Sequence, residues 1–126
     1  MRKGYIALVL TEEGRERLLS RITPAHPDVI THHVTWEFKV SEDAPLPEVS
    51  QVMVVAVACN DKIQAATVEV NGTSRKPDNR IAHVTISLDS AKGAKPVHSN
   101  DLLSEGLSDE LDVFDIPVEP RFIPFG

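Results

Sequence analysis

Apolar and polar residues alternate strictly in two stretches of this chain. One reads His33-Val34-Thr35-Trp36-Glu37-Phe38-Lys39-Val40 and the other His83-Val84-Thr85-Ile86-Ser87-Leu88. A period of two predicts a strand with one buried face. It sends Val34, Trp36, Phe38 and Val40 towards a core and His33, Thr35, Glu37 and Lys39 away from it. In the second stretch Val84, Ile86 and Leu88 face inwards, and His83, Thr85 and Ser87 oppose them. The strands are expected over residues 31–40 and 80–88. His32 then lies on the face opposite His33.

Continuous apolar runs at residues 5–10, 49–58 and 63–70 predict three further buried strands, with Asn60-Asp61 as the tight turn between the last two. Between the first run and His33 the period changes. Thr11 reads as a helix N-cap, with Gly14 where a capping box would place Glu. Leu18, Leu19 and Ile22 form an apolar stripe, arginines 15, 17 and 21 suit the C-terminal half, and Pro24 and Pro27 end the helix. His26 falls in that proline loop. Residues 42–48 read as a linker and 71–79 as a polar loop. Ser99 or Asn100 caps a short helix through residues 103–105. Residues 112–117 read as a last strand. Three prolines in residues 117–124 suggest an extended tail anchored by Phe122, Ile123 and Phe125.

These elements predict an α+β fold: a two-lobed, mainly antiparallel sheet with one long helix and one short helix, the two alternating strands facing a central groove. At 126 residues one domain is expected over 1–126. An acidic, proline-containing C-terminal extension covers about 104–126.

Composition adds constraints. The single cysteine, Cys59, allows no internal disulfide and no cysteine-rich zinc site. Its apolar surroundings predict a buried, inert thiol. The longest apolar run, residues 52–59, is far short of a membrane span. The apolar run after Met1-Arg2-Lys3 meets Glu12-Glu13 too soon for a signal peptide. A cytoplasmic protein is expected. The net charge of −6 is concentrated: residues 101–119 hold seven acids and no Lys or Arg. Arg75, Lys76, Arg80, Lys92 and Lys95 form a locally basic stretch around the second alternating run. This pattern does not suit coating of long nucleic acid, and a small nucleotide or an RNA end fits better.

Both alternating stretches open with the same tripeptide, His-Val-Thr. Composition alone gives roughly 0.3 His-x-Thr matches in such a chain, so two copies in matching contexts mark a motif. Each strand presents an imidazole and a hydroxyl about 7 Å apart at Cα. Two such strands on one groove supply what hydrolysis of a phosphodiester without a metal needs. One imidazole is base to water and the other acid to the leaving oxygen. Stiff β-branched threonines donate to the phosphate oxygens. The catalytic candidates are His33 and His83, with Thr35 and Thr85 as phosphate ligands. The sequence does not assign acid and base.

Paired His-x-Thr strands resemble the 2H phosphoesterases. The resemblance is nearest to the cyclic-phosphodiesterase domain of the tRNA-ligase type and its small stand-alone relatives. It rests on residues 4–10, His32-His33-Val34-Thr35, His83-Val84-Thr85-Ile86-Ser87 and residues 95–103. It implies opening of 2′,3′-cyclic phosphates on RNA ends or nucleotides, without cofactor or metal. It also brings the loop of His98, Ser99 and Asn100 near the site; with Lys95 and Arg80 these are substrate-binding candidates. Cyclic (oligo)nucleotide signals are a rival substrate. A non-catalytic nucleotide- or RNA-end-binding module is a second class. A zinc site on His33 and His83, with or without His98, and a carboxylate is a third, which leaves the threonines unexplained.

Overall fold

In a computed structural model describing residues 2–104 and 108–125, both alternating stretches form strands. The described residues hold eight strands and two α-helices, in the order β1 (Lys3–Leu10), α1 (Glu12–Arg21), β2 (Asp28–Val29), β3 (His33–Ser41), β4 (Val52–Cys59), β5 (Ile63–Val70), β6 (His83–Leu88), α2 (His98–Ser104), β7 (Ser108–Asp115) and β8 (Val118–Pro124). The sheet runs β7-β4-β5-β6-β3-β1-β8, with β2 against β6. Its pairings are antiparallel and it curls into a half-barrel. The fold is α+β, as expected. The helix expected to be long has only ten residues. The end of the expected second helix at Glu105 lies outside the described residues.

The halves β7-β4-β5-β6 and β3-β1-β8 meet through a single residue pair, Val34 opposite Val84. Both valines are fully buried in the main core with Leu8, Leu18, Val54, Val68 and Ile86. A second apolar cluster packs α2, through Leu102 and Leu103, on Ala58, Ile63 and Leu88. This cover buries the Thr85 and Leu88 side of β6, whereas a register shift against β5 turns Ser87 to the other face, where Gln64 and the proline loop bury it. Ser87 Oγ donates to Gln64 Oε1 at 2.7 Å, and Gln64 Nε2 donates to the Thr23 carbonyl. These bonds satisfy the buried polar groups and tie the proline loop to the sheet.

The N-terminus of α1 is closed by the chain's other end. Thr11 Oγ1 accepts from Gly14 N at 3.1 Å and donates to the Pro117 carbonyl. A side chain at Gly14 would meet that same carbonyl, which accounts for glycine in place of the expected Glu.

Four expectations are corrected. The proline-rich tail is strand β8, paired with β1 from Gly4–Pro124 to Leu10–Val118. The acidic strand starts earlier, at Ser108, and β7 borders β4. Cys59 is exposed, because it ends β4 out of phase with the buried Val52, Val54, Ala56 and Ala58. In β3, Trp36 is only half-buried and Phe38 is exposed. The register with β1 shifts twice there, with Ala7 opposite Thr35, Ile6 opposite Glu37, Tyr5 opposite Phe38 and Gly4 opposite Val40. Trp36 and Lys39 are the extra residues, and Lys39 has φ 58°. A one-residue slip turns every following side chain to the other face.

Candidate active site

Val34 and Val84 spend their side chains on the core, so the residues flanking each valine emerge on the opposite face. His33 and Thr85 flank the pair on one side, Thr35 and His83 on the other. The diagonal from His33 to His83 is therefore on the order of 7–8 Å. All four line one cleft of about 790 Å³, together with Trp36, Phe38, Lys76, Arg80 and Asn100.

The two histidines are held differently. His83 Nδ1 donates to the Ile81 carbonyl at 2.9 Å, which leaves Nε2 for the cleft. Burial pushes its pKa down and Lys76 lowers it further, while the Ile81 carbonyl acts in the opposite sense. His33 is pushed down to about 4, by burial first and then by His32 and His83. His33 Nε2 lies 3.2 Å from Thr35 Oγ1, and its Nδ1 lies 2.9 Å from Nδ1 of His32. If His33 donates from Nδ1 to His32, its Nε2 carries the lone pair.

His32 was expected on the opposite face. Thr31 has φ 44°, so the extended run starts only at His33, and the His32 ring meets the His33 ring edge-on at 5.1 Å. Thr85 is fixed from behind, its Oγ1 2.8 Å from the Oγ of fully buried Ser99.

Of the substrate-binding candidates, Arg80 and Asn100 line the cleft. Ser99 lies behind Thr85. His98 Nδ1 accepts from the Lys95 backbone N–H at 3.0 Å, and neither residue is in the cleft wall. Lys76 was not singled out from the basic stretch, yet it lines the cleft with a side chain only 7% exposed. Its Nζ has Asp78 Oδ2 at 3.6 Å, a long contact for a buried cation. The turn that holds it is closed by Asn79 N to the Lys76 carbonyl and Lys76 N to the Arg80 carbonyl. Only its proximity to a His-x-Thr in the sequence hinted at this. Among the described residues, no three His, Cys, Asp or Glu side chains converge as a metal site would need.

The cleft thus offers two imidazoles, two hydroxyls and two cations, with the carboxylates of Glu37 and Asp78 also in its wall and Asp78 engaged by Lys76. A sequence model of a family described as the fungal tRNA ligase phosphodiesterase domain matches residues 20–118 of the chain. No curated protein and no solved structure matches it.

Proposed function

The chain belongs to the family of the fungal tRNA ligase phosphodiesterase domain, a family of phosphodiesterases, and from that premise we propose that it opens 2′,3′-cyclic phosphates on nucleotides or RNA ends by acid–base catalysis between two histidines. The observation that carries the reading is the Val34–Val84 pair, which sets both His-x-Thr motifs around one cleft.

His33 is the base. Its surroundings keep it neutral, with a pKa of about 4. Its Nε2 takes a proton from water as the water oxygen bonds to phosphorus. His83 is the acid. Its Nδ1–H bond to a carbonyl supports the protonated ring, and an anionic phosphate in the cleft adds to that support. The bond from phosphorus to one ribose oxygen breaks, and that oxygen takes the proton from His83 Nε2. The products are a phosphomonoester and a free ribose hydroxyl. Thr35 and Thr85 donate to the non-bridging oxygens, and Lys76 and Arg80 balance their charge. The chain reads as one domain with its C-terminal strands built into the sheet.

The reading is tested by assaying 2′,3′-cyclic and 3′,5′-cyclic mononucleotides after dialysis against EDTA. The expected result is hydrolysis of the 2′,3′ isomer at an undiminished rate. Activity that vanishes on chelation and returns with zinc would contradict the proposed chemistry.

A further inference from the structure

The cleft continues onto an aromatic surface that opening a bare cyclic phosphate does not use. Phe38 is 61% exposed, and the register shift in β3 puts it on the same sheet face as Thr35, Ala7 and Tyr5. Phe125, just past β8, is also exposed. Ring centroids lie 5.2 Å apart between Phe38 and Phe125, 6.3 Å between Tyr5 and Phe38, and 6.2 Å between Tyr5 and Phe125. Tyr5 in turn lies 5.8 Å from the His33 ring. Phenyl rings left in water contribute little to folding, and bulges beside active sites serve to re-aim side chains.

The surroundings specify an occupant. Lys3, two residues before Tyr5, lies on the same face. So does Arg121, which β8 sets opposite Ala7 and which also pairs with Glu119. Exposed rings flanked by cations, continuous with the cleft that holds both histidines, are the chemistry that binds single-stranded nucleic acid.

We propose that Tyr5, Phe38 and Phe125 form a stacking platform for the bases of a single-stranded RNA segment whose cyclic-phosphate end lies between His33 and His83. The proposal rests on the activity proposed above and narrows its substrate to RNA ends over free cyclic nucleotides.

The test uses the whole chain and a length series: a 2′,3′-cyclic mononucleotide, then a dinucleotide and a tetranucleotide with the same end. In the wild type kcat/KM should rise with length. Phe38→Ala and Phe125→Ala should each lower the tetranucleotide-to-mononucleotide ratio about tenfold or more. Both rings are exposed, so neither change threatens the fold. Binding of an uncyclised tetranucleotide, followed by the fluorescence of Trp36, the sole tryptophan and part of the cleft wall, reads the platform without chemistry. If no cyclic phosphate is opened but the tetranucleotide binds in a Phe38-dependent way, the activity falls and the platform stands. If hydrolysis is intact but independent of length, the platform is overturned and the activity stands. Self-association that Phe38→Ala abolishes, with no effect of RNA length, overturns the platform in favour of a second copy of the chain.

Discussion

Lys76 carries a charge that the fold alone does not explain. A lysine this buried is uncommon without a close partner, and the carboxylate it pairs with among the described residues, Asp78, is 3.6 Å away. In the proposed site it compensates the phosphate. Lys76→Met should therefore reduce kcat about ten- to a hundredfold, the value of a hydrogen bond to a charged group. A second effect has a definite sign. Lys76 lowers the His83 pKa, so removing it lets His83 hold its proton to higher pH. The alkaline limb of the kcat/KM profile should move up in pH. The charged groups on the cleft wall with His83 are Lys76, its ion-pair partner Asp78, Arg80 and Glu37, and the titratable His33 faces it as well. A limb that stays in place would detach Lys76 from the site.

His33 also links pH to stability. Its folded pKa, about 4, is below the ordinary 6.5. Between those values the unfolded chain binds the proton and the folded chain does not, so stability is lost as pH falls through that window. Denaturant midpoints at pH 7 and pH 4.5 should differ more for the wild type than for His33→Gln. Equal pH dependence would place the titration elsewhere. At this scale the sequence was legible where alternation held: His33, Thr35, His83 and Thr85 sit on one cleft because their valine neighbours are core residues. Phe38 was misread because a bulge is invisible in a hydropathy pattern. Lys76 was missed because a loop lysine is ordinarily solvated, and only tertiary structure buries this one.

Among the elements, α1 and β8 show how non-local contacts override local rules. Gly14 would ordinarily gain helix stability on replacement by alanine, by about 1 kcal/mol. Here the added Cβ meets the Pro117 carbonyl, which also caps the helix through Thr11. Gly14→Ala should instead destabilise the protein by about 1–3 kcal/mol, the usual cost of overpacking. Equilibrium urea unfolding checks this; a stabilised variant would mean the β7–β8 connection yields freely. Strand β8 was read as a tail because of its prolines, which are tolerated on an edge strand. The acids of β7 make equal sense on the opposite edge, where charge discourages strand addition by another chain. Neither role is readable without knowing which strands end the sheet.

Across the whole molecule, the central claim concerns the seam. The strand ladder joins the two halves of the sheet at one valine pair, and each half contributes one His-x-Thr to the cleft. The alternation in the two motif strands predicted that both motifs share one groove, while the closure by β7 and β8 depended on pairings 50 to 120 residues apart in sequence. If the histidines act as one unit, their losses are not additive. The direct measurement is kcat/KM on a 2′,3′-cyclic nucleotide for His33→Ala, His83→Ala and the double variant, each confirmed as folded. Each single change should cost about 10²–10⁴-fold, and the double variant should be scarcely slower than the slower single one. Near-wild-type activity in either single variant, or losses that multiply in the double, would contradict a shared acid–base pair.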